Sequence, residues 1–168
     1  MSLLALLQLC CVAVFALLLV AAGWQDLKTM RIANSLSIGI GASFVVWAAA
    51  GVLLGRLQFL QLGLALVCAA GVFVLGALGF AAGAIGGGDV KLLAVASLFA
   101  GPSLQFDFLA ITALVGGVLG LAILAGAPIG PAGGRAGGAI RSRLQGGLPY
   151  GPAIAVGGLW VAASLAVV

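Results

Sequence analysis

Aspartates are the side chains of this sequence best suited to chemistry. The chain of 168 residues has no histidine, no glutamate and three aspartates, Asp26, Asp89 and Asp107. Two carboxyl groups within hydrogen-bonding reach share a proton, so the charged member can take a proton from water while the neutral member protonates a carbonyl oxygen. Asp26 and Asp89 suit such a pair, because each lies at the end of an apolar segment, on the face to which the first and third predicted helices return. Each is followed two residues later by a lysine, Lys28 or Lys91.

Other chemistries are poorly supported by the residue inventory. Without histidine, no serine or cysteine has its usual general base. The cysteines lie inside apolar runs and have neither C-x-x-C spacing nor histidine partners for zinc, which favours packing roles for Cys10, Cys11 and Cys68. We therefore predict no metal site and no cofactor.

The elements that carry these acids are apolar runs of membrane-spanning length. Hydrophobic residues make up 64% of the chain and charged residues 6%, against about 25% charged in soluble domains. The sequence predicts an all-α, polytopic bundle of about six transmembrane helices in one membrane-embedded domain, residues 1–168, with no separate soluble domain. The runs are Leu3–Ala22, Ser35–Leu54, Phe59–Ala82, Val90–Ala100, Phe108–Ala127 and Tyr150–Val168. The fourth run is short, and its helix is expected to start within the preceding glycines.

The basic residues predict the orientation of the bundle. Cytoplasmic loops are enriched in lysine and arginine. With both termini outside, only Arg56 faces outward, and the cytoplasmic side carries Lys28, Arg31, Lys91, Arg135, Arg141 and Arg143. The glycine-rich segment 128–148 is then a flexible cytoplasmic loop whose arginines meet anionic lipid. The positive charge thus indicates topology and a bilayer partner, and we expect no nucleic-acid binding.

The surroundings of the acids leave two interpretations open. Each carboxylate could simply pair with its nearby lysine at the headgroup level. Alternatively, ionisable groups at membrane depth indicate function, and the glycines before Asp89 leave the backbone free for positive φ and admit an extended peptide. Asp107, beside Gly101 and Pro102, is predicted to be an interfacial loop charge.

Three stretches resemble the motifs of one family. Residues 86–91, GGGDVK, are similar to the G-x-G-D-x-K motif of the type IV prepilin peptidases, which are polytopic membrane aspartic proteases. Residues 26–34, DLKTMRIAN, resemble their first aspartate motif, with Ala33 where proline is common. Residues 149–154, PYGPAI, resemble the proline-containing stretch that enters their last helix.

The short spacing before the first aspartate refines this resemblance. Long members carry a C-x-x-C domain between the first helix and the first aspartate, where this chain has only Gly23, Trp24 and Gln25. The chain thus resembles the short, peptidase-only members that serve Flp-type pili, and we expect no N-methyltransferase activity.

The resemblance implies a membrane aspartic endopeptidase in the inner membrane. It would remove the leader of a prepilin or pseudopilin at the cytoplasmic face, after a glycine, with Asp26 and Asp89 as the catalytic pair. Gly86 and Gly88 would shape the site, with Lys28 and Lys91 in supporting roles; the oligomeric state is left open. The alternatives are a small proton-coupled transporter that uses Asp26 or Asp89, and a structural subunit that tolerates alanine at both positions.

Overall fold

The structure, a computed structural model, describes residues 2–127 and 149–167. These residues form five helices and no strand: α1 (Leu3–Thr29), α2 (Asn34–Leu53), α3 (Phe59–Ala81), α4 (Gly87–Leu124) and α5 (Gly151–Val167). The prediction of an all-α fold is confirmed. The predicted loop 128–148, with its three arginines, lies outside the described residues.

The fourth and fifth apolar runs lie in a single helical stretch, α4, which is broken at Gly101. Gly101 has φ 54° and ψ −169°, and Pro102 follows it with no amide hydrogen to continue the helix. The side chain of Gln105 bridges the break by donating from Nε2 to Ser97 Oγ at 3.2 Å. As expected, α4 begins within the glycines, at Gly87.

Asp107 was expected in a loop, and that detail is wrong. It lies in the helix beyond the break, on the exposed surface. The helix resumes directly after Gly101 and Pro102 because proline is well tolerated in the first turn of a helix.

The core lies where α1, α2, α4 and α5 meet. α1 packs on α2 and α5, and α4 packs on α2, α3 and α5. At the centre, Phe15 of α1 stacks on Phe99 of α4 with ring centroids 4.1 Å apart. Phe44 and Trp47 of α2 close around the same ring of Phe99. These aromatic contacts fix α1, α2 and α4 together on the Gly101 side of the bundle.

The helices have the dimensions and surface of a membrane bundle. α1 to α4 are each long and apolar enough to cross a bilayer, and the 17 residues of α5 are at the lower limit of about 17 to 25 for a span. Many large apolar side chains on the outside of the bundle are exposed, as lipid contact requires. The chain is therefore a multi-pass membrane protein; six crossings and outward termini stay predictions.

Candidate active site

The first carboxyl group is held between the end of α1 and the start of α5. Asp26 lies in the last turn of α1 and is only 4% exposed. The amide of Gly151, the first residue of α5, donates to Asp26 Oδ2 at 2.8 Å. The first amides of a helix have no acceptor within it and point out of its N-terminus, so α5 presents a ready donor to this carboxyl group.

The second carboxyl group lies in the first turn of α4. Asp89 is 7% exposed, and its Oδ2 lies against Gly86, the N-cap residue, where an added Cβ would come within 2.7 Å of that oxygen. An acidic residue at this position reaches back to the free amides of its own helix. The other oxygen, Asp89 Oδ1, is buried and finds no hydrogen-bond partner among the described residues. An unpaired buried acceptor is costly, and this one is available to an incoming donor.

Both carboxyl groups line one cavity. Its volume is about 310 Å³, and its wall is completed by the α1–α2 turn and the residues before Asp89: Met30, Arg31, Ile32, Gly86, Gly87 and Gly88. Asp26 reaches the cavity from the last turn of α1, and Asp89 reaches it from the first turn of α4. The structure thus brings together four of the residues singled out by sequence, Asp26, Asp89, Gly86 and Gly88.

The glycines of the site let neighbouring side chains lie close against the backbone. A Cβ at Gly151 would lie 2.6 Å from Asp26 Cβ, and one at Gly86 would lie 2.7 Å from Asp89 Oδ2. A Cβ at Gly88 would lie 3.2 Å from Ile32 Cβ. The freedom to take positive φ is not used at residues 86–88, since Gly86 has φ −71° and the next two residues are helical. Space for neighbouring side chains, and not backbone conformation, explains glycine at these positions.

The two lysines do not pair with the aspartates, so the first of the two interpretations is not what the structure shows. Lys28 Nζ lies 4.7 Å from the centroid of the Trp24 ring, and Lys91 Nζ donates to Asn34 Oδ1 at 3.0 Å. Residues two apart on a helix point in different directions, whereas residues four apart, such as Trp24 and Lys28, share a face. Neither lysine lines the cavity.

Two features of the site were not anticipated from the sequence. The Gly151 amide on Asp26 joins residues 125 positions apart, and its signal was the glycine between two prolines at the start of the last helix. Arg31 and Ile32 line the cavity because the chain turns back directly after Asp26. Within residues 2–127 and 149–167, no group of three or more His, Cys, Asp or Glu side chains could hold a metal ion.

Fold and site together define a class: a polytopic membrane protein with two buried carboxyl groups at one cavity. The sequence matches the type IV leader peptidase family over residues 13–121, which is 109 of the 168 residues. The chain therefore belongs to this family. Comparison with curated proteins and with solved structures gave no match.

Family membership confirms the resemblance found in the sequence. It implies a peptidase of the leader-peptidase type and a prepilin-type substrate. The matched range includes both Asp26 and Asp89 and ends before Gly151.

Gly151→Ala should destabilise the protein. The new Cβ would meet Asp26 Cβ, which is fixed to the backbone, so α1 and α5 must separate at an estimated cost of about 1–3 kcal/mol. Gly71→Ala is the matched control: it is also helical, and its Cβ would have nothing within 4 Å. Thermal unfolding in detergent, followed by tryptophan fluorescence, should show a lower Tm for Gly151→Ala alone. Equal Tm values for the two variants would contradict the close packing of α1 and α5.

Proposed function

We propose that the protein is a membrane aspartic endopeptidase that removes the leader peptide of prepilin-like proteins, with Asp26 and Asp89 as its catalytic pair. One observation carries this proposal: two buried carboxyl groups from different helices line the same cavity. Family membership supplies the reaction class, and the shared cavity supplies groups able to perform it.

The proposed mechanism needs only these two carboxyl groups and water. The charged member takes a proton from a water molecule, and the water oxygen attacks the carbonyl carbon of the scissile peptide bond. The neutral member gives its proton to the carbonyl oxygen, which forms a tetrahedral diol. The carboxyl group that took the water proton then protonates the amide nitrogen, while the other, now charged, takes a hydroxyl proton from the diol. The carbon–nitrogen bond breaks to release acid and amine, and the pair again holds one proton. The single shared proton belongs to the pair rather than to either residue.

Asymmetry between the carboxyl groups suits this sequence of steps. Asp26 Oδ2 is fixed by the Gly151 amide at 2.8 Å, which sets the orientation of that carboxyl group. Asp89 Oδ1 has no partner in the described residues and is free to bond with water or with the substrate carbonyl. A site with one fixed and one open carboxyl oxygen can accept a substrate without first breaking an internal hydrogen bond.

The position of the cavity along the helices supports cleavage at a membrane boundary. At about 1.5 Å per residue, the 27 residues of α1 exceed the roughly 20 needed to cross a bilayer, and Asp26 lies in the last turn. A substrate helix can therefore remain in lipid while its leader reaches the acids. We propose the cytoplasmic face of the inner membrane, a Flp-type prepilin substrate and a single peptidase domain over residues 1–168, on the basis of the basic residues and the short spacing before Asp26.

Asp26→Asn and Asp89→Asn should each abolish leader removal. Asparagine keeps the shape of the side chain but can neither take nor give the proton, so we expect a rate loss of at least about 10²-fold. Asp107→Asn is the matched control, since Asp107 is exposed and outside the cavity lining. The measurement is a gel assay of leader removal from a co-expressed Flp-type prepilin. Wild-type activity in either site variant would refute the pair.

Gly86→Ala should impair cleavage while the protein stays folded. Its Cβ would lie 2.7 Å from Asp89 Oδ2, and the flexible carboxyl group can move aside, at the expense of its catalytic position. A displacement of this kind can lower kcat by about 10²-fold. Gly117→Ala is a control with nothing near its Cβ. The assay is the same, with Tm measured in parallel; unchanged kcat for Gly86→Ala would argue against a precisely held Asp89.

A further inference from the structure

A hydrogen bond outside the cavity ties the start of α4 to the start of α2. Lys91 Nζ donates to Asn34 Oδ1 at 3.0 Å. Lys91 follows Asp89 by two residues, and Asn34 is the first residue of α2, directly after the turn that lines the cavity. We propose that Lys91 is a positioning residue that acts through Asn34 and holds Asp89 in place relative to Asp26. This inference rests on the proposed function of the pair.

Helix geometry excludes a direct role for Lys91 within the cavity. Two helical steps rotate the side chain by about 200°, so Lys91 points away from the face that carries Asp89. Lys91 is exposed and does not line the cavity, and no ion pair joins it to an aspartate among the described residues. Its partner Asn34 is the first residue of α2, directly after the N-cap residue Ala33, and Asn34 Oδ1 accepts the hydrogen bond from Lys91 Nζ.

A second hydrogen bond continues the connection from α2 to the end of α1. Gln25, the neighbour of Asp26, accepts a hydrogen bond at Oε1 from the Ala33 amide at 3.1 Å. Ala33 immediately precedes Asn34. A short series of contacts therefore runs from the helix end that carries Asp26, through the start of α2, to the helix start that carries Asp89.

The same two segments also touch beside the cavity. A Cβ at Gly88 would lie 3.2 Å from Ile32 Cβ, so the start of α4 lies close against the α1–α2 turn. The Lys91–Asn34 hydrogen bond joins the same two segments at exposed residues, two positions after Ile32 and three after Gly88. Loss of the bond would let the first turn of α4, which carries Asp89, shift relative to α1. We therefore expect an effect on kcat more than on KM.

Paired substitutions test the proposal. Lys91→Met and Asn34→Ala each remove one partner, and we expect each to lower kcat by roughly two- to tenfold, the range for one hydrogen bond to a charged group near a surface. If the two residues act only through each other, the double variant should be no slower than the slower single variant. Arg56→Met, which removes a charge from an exposed residue of the α2–α3 turn, should leave kcat unchanged.

Conservative variants and the pH dependence of kcat distinguish a positioning role of Lys91 from a direct role in catalysis. Lys91→Arg keeps a donor and Asn34→Asp keeps an acceptor, so both should retain near-wild-type kcat. The pH dependence of kcat should be the same in Lys91→Met as in the wild type, because Lys91 does not face the carboxyl groups. A displaced pH profile in Lys91→Met alone, or independent and multiplicative losses in the double variant, would overturn the proposal.

Failure of this inference can be told apart from failure of the proposed function. If Asp89→Asn is inactive while Lys91→Met and Asn34→Ala cleave at the wild-type rate, the positioning role is wrong and the catalytic pair stands. If Asp89→Asn cleaves normally, the catalytic pair is wrong, and Lys91 has no carboxyl group to position.

Discussion

Burial of two carboxyl groups in an apolar bundle is the constraint on which the rest of this structure depends. A buried carboxylate is costly unless hydrogen bonds replace its hydration, and lipid provides none. The fold places each buried acid beside the start of a helix, where backbone amides are free: Asp26, in the last turn of α1, lies against the first residue of α5, and Asp89 lies in the first turn of α4. Helix ends are therefore the sites where this bundle holds buried acids, and the end of α1 and the start of α4 meet at one cavity.

Close packing of α5 follows from that arrangement. The amide of Gly151 reaches Asp26 only if α5 lies against α1, and glycines along α5 provide the space. A Cβ at Gly157 would collide with Thr112 Oγ1 of α4, and one at Gly158 would collide with Leu19 of α1. On α1, a Cβ at Gly23 would lie 3.2 Å from Ala155 Cβ. The small residues thus belong to the construction of the site, because they set how far α5 inserts between α1 and α4.

Much of this arrangement was predictable from residue types and spacing. The apolar runs predicted the helices. The pairing of Asp26 and Asp89 was predicted because both acids lie at the ends of apolar runs on the same side of the membrane. The merger of the fourth and fifth runs was not predictable, because Gly101 and Pro102 are equally compatible with a loop and with a break inside a helix. The partners of Lys28 and Lys91 were missed for another reason. Sequence proximity suggested Asp26 and Asp89, whereas the helical rotation between residues two apart directs the lysines to Trp24 and Asn34.

The central claim is that Asp26 and Asp89 act as one unit. Single-turnover cleavage of a prepilin should be compared for Asp26→Asn, Asp89→Asn and the double variant, with each protein shown to be folded. If both carboxyl groups handle the same proton in one step, removing either group already blocks that step. Removing the second group then adds little further loss of rate, so the effects of the two substitutions are strongly non-additive. The account predicts that the double variant is no slower than the slower of the two single variants. Two partial losses that multiply in the double variant would show that the carboxyl groups act independently, and would contradict it.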